Sequence, residues 1–116
     1  MIALFTVALA LQAWSPPPAA DLSFNEAYAC STLGESARDA EFPGTLSPQT
    51  TNERRLWDGL TRLHVEAGAV ADAAARREGL ADRPAAEAFV REHLARGGDD
   101  TATQILARCK MVFGIE

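Results

Sequence analysis

Two histidines and two cysteines are the side chains of this 116-residue sequence best suited to metal binding, proton transfer or covalent cross-linking. Neither His64 nor His93 belongs to a His-x-x-x-His, His-Glu-x-x-His or Glu-x-x-His motif. Such spacings place two metal ligands on one face of a helix, so the sequence predicts no metal site within a single helix. A metal site that combines both histidines with Glu66 or Glu92 is an alternative that the sequence leaves open.

The positions of the two histidines predict different surroundings for their rings. His64 lies at the edge of the apolar seam of a predicted helix, and His93 lies within the apolar face of another. Both are interpreted as core or boundary side chains. Because an imidazole without perturbing neighbours titrates at about pH 6.5, a pH-responsive contact is the functional hypothesis for each.

Cys30 and Cys109 are the only cysteines, and no Cys-x-x-Cys motif is present. A bond between them would close a loop of about 80 residues and, on the chain-entropy estimate, stabilise the fold by about 4 to 5 kcal/mol. We therefore predict one structural disulfide and an oxidising compartment. Two reduced thiols and pairing between molecules are the alternatives.

Other signatures of catalysis are missing from the sequence, and no cofactor is predicted. There is no Gly-x-Ser-x-Gly nucleophile motif. Gly97-Gly98 precedes Asp99-Asp100, and two carboxylates at that position would repel a phosphate group. Trp57 is interpreted as a side chain at the edge of the core, with a contact to another protein as the functional alternative.

The charge balance is acidic, with 11 lysine and arginine residues against 16 aspartate and glutamate residues and a net charge of −5. Nucleic-acid binding needs a basic face that displaces counterions from phosphates. The arginines here alternate with acidic residues, as in the run of Glu53, Arg54 and Arg55. The sequence therefore argues against a nucleic-acid partner.

The N-terminus has the pattern of a secretory signal peptide. Residues 2–13 contain no charge and are almost wholly apolar, and three prolines follow at positions 16–18. This run of 12 residues is shorter than the roughly 20 that a membrane-spanning helix requires. We predict a signal peptide within residues 1–20, cut after Ala13 or Ala20. A buried N-terminal helix and an uncleaved membrane tether are the alternatives.

Capping patterns predict the starts of the first three helices. Ser23 with Glu26 and Thr50 with Glu53 have the spacing of capping boxes, in which each side chain bonds the backbone N–H of the other residue. Asp82, followed by a proline at the second position after it, is the predicted cap of the third helix. These helices are expected over residues 23–40, 50–79 and 82–96.

The pair Gly97-Gly98 is predicted to end the third helix, and a fourth is expected to begin at residues 99–101. Thr101 and Gln104 form a third capping-box pattern. No stretch alternates apolar and polar residues as a half-buried strand does. The predicted fold is therefore all-α, a single four-helix domain over residues 21–116.

The two cysteines lie near the middle of the apolar faces of the first and last predicted helices. We therefore expect these helices to pack together, with the Cys30–Cys109 bond crossing the core between them.

These observations predict an exported protein, periplasmic or secreted, with a non-catalytic binding or stabilising role in the cell envelope. The expected partner is another envelope protein or a second copy, and no membrane span is expected after cleavage. Such a protein should expose an apolar patch or groove, for instance near Trp57 and His64. The alternative is a carrier of a small ligand or metal ion, which should show a pocket with convergent polar groups around His64 or His93.

Overall fold

The computed structural model describes residues 14–116, so the predicted apolar leader over residues 2–13 lies outside the described residues. Residues 14–116 form three helices: α1 (Phe24–Glu41), α2 (Thr51–Arg77) and α3 (Arg83–Phe113). A single 3-10 turn at Ala19–Asp21 precedes them. Residues 14–116 contain no strand, which confirms the predicted all-α class.

Both α1 and α2 begin with the predicted capping boxes. The Ser23 hydroxyl accepts a hydrogen bond from the Glu26 backbone N–H at 3.2 Å, and the Glu26 carboxylate accepts one from the Ser23 backbone N–H at 2.9 Å. Thr50 and Glu53 make the same reciprocal pair at 3.0 and 3.2 Å. Each box satisfies backbone N–H groups that have no partner within the helix.

The connection between α2 and α3 also follows the local sequence. Gly79 takes a φ of +65°, the left-handed conformation that commonly ends a helix. The Asp82 side chain then accepts a hydrogen bond from the Ala85 backbone N–H at 3.1 Å and caps α3. Pro84 lies in the first turn of α3, where its missing N–H removes no helical hydrogen bond.

The structure has three helices where the sequence analysis predicts four, because α3 continues through Gly97 and Gly98. The backbone leaves helical geometry at Gly98 alone, with φ 77° and ψ −179°, and the helix resumes at once in a new direction. The glycine pair therefore makes a kink in one helix and not a loop between two. Thr101, predicted to cap a fourth helix, lies inside α3.

Helix α1 lies between α2 and α3 and packs against both of them. The largest fully buried side chains include Leu22, Phe24, Leu63 and Val90. Cys30 on α1 and Cys109 on α3 are also fully buried, and their sulfur atoms stand at disulfide distance with the Cα atoms 5.5 Å apart. The expectation that the first and last helical segments pack together through these cysteines is confirmed.

Within residues 14–116, no helix has the length and apolar character that spanning a bilayer requires.

Candidate functional site

The closest approach of α1 and α2 lies beside His64. A methyl group built on Gly34 would lie 3.0 Å from the backbone nitrogen of His64 and 3.1 Å from the carbonyl oxygen of Leu60. Such contacts are tighter than most that real side chains make, and a backbone neighbour has to shift to accommodate them. Glycine at position 34 therefore allows the two backbones to touch, and this contact positions the His64 ring over α1.

Ser31 on α1 fixes the His64 ring through three hydrogen-bond contacts. The Ser31 hydroxyl donates to the His64 carbonyl oxygen at 2.8 Å, so its oxygen can only accept at the ring. The His64 Nδ1 atom lies 3.0 Å from that oxygen and 2.9 Å from the Ser31 carbonyl oxygen. Nδ1 therefore carries a proton that it shares between these two acceptors, and the ring is held as a cross-link between the helices.

The other nitrogen of the ring, Nε2, lies 3.7 Å from a carboxylate oxygen of Glu35, one turn along α1 from Ser31. Serine, histidine and glutamate are residue types that enzymes combine as nucleophile, base and acid. Ser31 is only 6% exposed, however, and its proton is directed at a carbonyl. We interpret the cluster as a structural contact between α1 and α2, which the sequence analysis missed because its members lie on different helices.

Trp57 lies at the other end of the α1–α2 contact and is half-buried. Its ring meets Phe42 edge to face at a centroid distance of 5.3 Å, and the Arg38 guanidinium lies 5.0 Å from the Trp57 centroid. Arg38 also donates a hydrogen bond to the Thr61 hydroxyl at 3.2 Å. These contacts hold the Trp57 ring against Phe42 and Arg38, and its role in a contact with another protein stays a prediction.

His93 lies on α3 and stacks on Phe89, with ring centroids 6.4 Å apart. Phe89 is 50% exposed, so the apolar face predicted for this part of α3 is only partly covered. The structure does not bring the two histidines into a metal site with Glu66 or Glu92. Glu66 pairs with Arg62 and Glu92 with Arg96, each along its own helix.

Residues 14–116 hold no group of three or more histidine, cysteine, aspartate and glutamate side chains placed to bind a metal ion.

A hollow of about 350 Å³ lies beside His64, between α1, α2 and the start of α3. Its polar side chains are largely bound to one another. Arg83 donates to Asp72 at 2.6 Å and to Glu87 at 3.0 Å, and these hydrogen bonds raise the pKa of Arg83 above its ordinary value. The Tyr28 hydroxyl accepts a hydrogen bond from Arg91. Little hydrogen-bonding capacity is left there for a ligand.

A longer depression, here named the α1–α3 groove, runs along the other side of α1. It consists of two adjoining hollows of about 340 and 280 Å³ that meet at Leu33, Ser36, Asp99 and Ala102. The side chains that line it are mainly small or aliphatic: Thr32, Leu33, Ser36, Ala37, Ala40, Leu94, Ala95, Ala102, Thr103 and Leu106.

The kink of α3 shapes the α1–α3 groove. Gly98 lines the first hollow together with Leu94 on the N-terminal part of the helix and Ala102 on the C-terminal part. The two parts of α3 therefore meet α1 at different angles and leave a channel between small side chains. Neither His64 nor Trp57 lines this channel, so the apolar groove lies on a different face from the one that the sequence analysis suggested.

Comparison of this chain with protein-family models, with curated proteins and with solved structures finds no match.

Proposed function

We propose that this protein is exported to an oxidising compartment, the periplasm or the medium, where it binds another protein of the cell envelope without catalysis. The α1–α3 groove is the observation that carries the binding part of this proposal. Export is supported by the apolar, uncharged residues 2–13 and by the buried Cys30–Cys109 pair at disulfide distance.

The lining of the α1–α3 groove suits an amphipathic helix. Small side chains such as Ala37 and Ala102 let another helix approach closely, and the partly exposed Leu106 offers apolar contact area. The buried side chains of Leu33 and Leu94 form the floor of the groove. Recognition of a helix in a groove uses apolar anchors spaced by three and four residues. The partner segment is therefore a helix with a narrow apolar face.

Charge adds a second property of the partner. The chain carries a net charge of −5. Asp99 lies on the lining of both hollows of the groove, whereas Arg91 lies on the lining of the first hollow only and donates a hydrogen bond to the Tyr28 hydroxyl. Opposite charges across an interface favour association and exclude wrong partners. We therefore propose a partner helix with basic residues beside its apolar face.

Site-specific photo-cross-linking in the native host tests the binding site. A photo-reactive residue at Thr103, an exposed position lining the groove, should give an adduct with one partner. The same residue at Ala88, an exposed position on the N-terminal part of α3, is the matched control. Mass spectrometry of the Thr103 adduct should map the linked peptide to a basic, helix-forming segment.

A substitution that fills the groove completes the test. Ala102→Arg should abolish the Thr103 adduct, because a long cationic side chain occupies the lining and repels a basic helix. Ala107→Arg adds the same charge at an exposed position of α3 outside the groove lining and should leave the adduct unchanged. Equal adducts at Thr103 and Ala88 would contradict the groove as the binding site, and an adduct between two copies would show self-association instead.

Thiol labelling tests the compartment. In the envelope fraction unfolded in denaturant, both cysteines should resist alkylation until a reductant is added, because a disulfide has no free thiol; the denaturant is needed because both sulfur atoms are buried in the folded protein. Free alkylation of both cysteines in untreated cells would contradict export.

A further inference from the structure

Residues 14–22 lie against the helical body as an arm, which bears on where the proposed leader is removed. The Trp14 ring packs against the core, and the Arg108 guanidinium on α3 lies 4.6 Å from its centroid. Ala19 also packs against the core, and Leu22 is 1% exposed. The arm is therefore anchored at both of its ends.

Hydrogen bonds hold the middle of the arm in a defined path. The Asp21 backbone N–H donates to the Pro18 carbonyl at 2.9 Å, closing the 3-10 turn. Arg77, in the last turn of α2, donates to the carbonyl oxygens of Ala20 at 3.4 Å and Leu22 at 2.9 Å. The arm thus connects the end of α2 with the C-terminal part of α3.

We infer that the arm belongs to the mature protein and that leader removal cuts the chain before Trp14, at the Ala13–Trp14 bond of the two candidate bonds. This inference rests on the proposed export. In this step water hydrolyses one peptide bond, leaving a carboxylate on Ala13 and an amino group on Trp14. A cut after Ala20 would instead remove Trp14 and Ala19 from the core.

The residues around the two bonds do not decide between them. Signal peptidases select small residues at the first and third positions before the cut. Leu11 occupies the third position for a cut after Ala13, and Pro18 occupies it for a cut after Ala20. The cleavage motif favours neither of the two bonds, so the contacts of the arm decide between them.

The experiment is the intact mass of the protein purified from the envelope fraction of the native host, without a tag. A chain that begins at Trp14 supports the inference. A chain that begins at Asp21 overturns it and leaves export intact. A full-length chain confined to the cell interior overturns the proposed export, so the two failures are distinguishable.

A stability measurement tests whether the arm stabilises the helical body. In the processed protein, Trp14→Ala should lower the midpoint of thermal unfolding by about 4 °C or more, because the ring leaves the core. Pro16→Ala, at an exposed position of the same arm, is the control and should leave the midpoint unchanged. Equal midpoints for the two variants would show that the arm adds nothing to the fold and would remove the ground for choosing the Ala13–Trp14 bond.

Discussion

Helix α1 meets its two neighbours in different ways. Its contact with α2 is close and is made by many side chains: backbone touches backbone at Gly34, Ser31 bonds His64, and Arg38 contacts the Trp57 ring and the Thr61 hydroxyl. Its contact with α3 has one covalent bond in the core and a groove beside it.

The contact with α2 fixes the position of α1, whereas the contact with α3 depends on one strong bond. Directional hydrogen bonds and close packing fix the position of α1 on α2, because each is lost when the helices slide. A disulfide holds α1 to α3 at one point and allows the surrounding side chains to be small. The surface left free for a partner is therefore on the α3 side.

Removal of the disulfide is expected to have the largest effect on stability. Replacing Cys30 and Cys109 together by alanine should lower the free energy of unfolding by about 4 to 5 kcal/mol, because the bond spans 79 residues and restricts the unfolded chain. Equilibrium unfolding in urea measures the change. Reduced wild-type protein is the control and should unfold at the same urea concentration. A loss below about 1 kcal/mol would mean that packing alone holds α3.

The contact at Gly34 is the next largest expected effect. Gly34→Ala should destabilise the fold by about 2 to 3 kcal/mol, because the added methyl group meets backbone atoms that cannot move independently. Gly68→Ala is the matched control, since its methyl group would make an ordinary 3.4 Å contact with Ser31. A better helix former at position 68 should leave stability unchanged or raise it by up to about 1 kcal/mol. Equal effects of both substitutions on the urea midpoint would contradict the close approach at Gly34.

Substitution at the kink of α3 is expected to give a smaller loss of stability, which arises from backbone conformation and not from packing. Gly98→Ala should cost about 1 to 2 kcal/mol, because φ 77° with ψ −179° is a backbone conformation reserved almost entirely for glycine. Urea unfolding measures the cost, and the Thr103 cross-link reports whether the groove keeps its shape. Unchanged stability and an unchanged cross-link would show that the kink does not depend on glycine.

The hydroxyl of Ser31 gives the smallest expected effect. Ser31→Ala should cost about 1 kcal/mol, because it removes the hydrogen bond to the His64 carbonyl oxygen but keeps the backbone acceptor of Nδ1. Ser36→Ala, at an exposed position on the groove, should change stability by less than about 0.5 kcal/mol. If Ser36→Ala lowers the free energy of unfolding more than Ser31→Ala does, the hydrogen bonds between Ser31 and His64 do not stabilise the α1–α2 contact as proposed.

Local signals explain what the sequence could predict of the fold. The capping boxes at Ser23 and Thr50 and the left-handed Gly79 act within four residues of themselves, so pattern and structure agree. The pairing of Cys30 with Cys109 followed from their positions on apolar faces. The glycine pair at 97–98 marks the junction of two helical segments, but the segments meet at a kink with no loop between them, and the sequence pattern does not distinguish a kink from a separate fourth helix.

The candidate site was harder to predict for the same reason. His64 was selected from its helix face, but its partners Ser31 and Glu35 depend on how far α1 slides along α2, which Gly34 decides. The groove depends on the direction of α3 after Gly98. The periodicity of one helix predicts neither how far α1 slides along α2 nor the direction of α3 after Gly98. The leader is a compositional prediction that the described residues do not test.

The position of the disulfide also determines how this protein would respond to tension. A pull applied to residues on the outer sides of Cys30 and Cys109 passes from the first turns of α1 through the sulfur atoms to the end of α3. Helix α2 lies inside the covalent loop, so it meets that force only through non-covalent contacts such as the hydrogen bonds of Arg77 to the arm. A partner pulling on the chain could therefore stretch the N-terminal arm, while the 79-residue separation between the cysteines would stay closed.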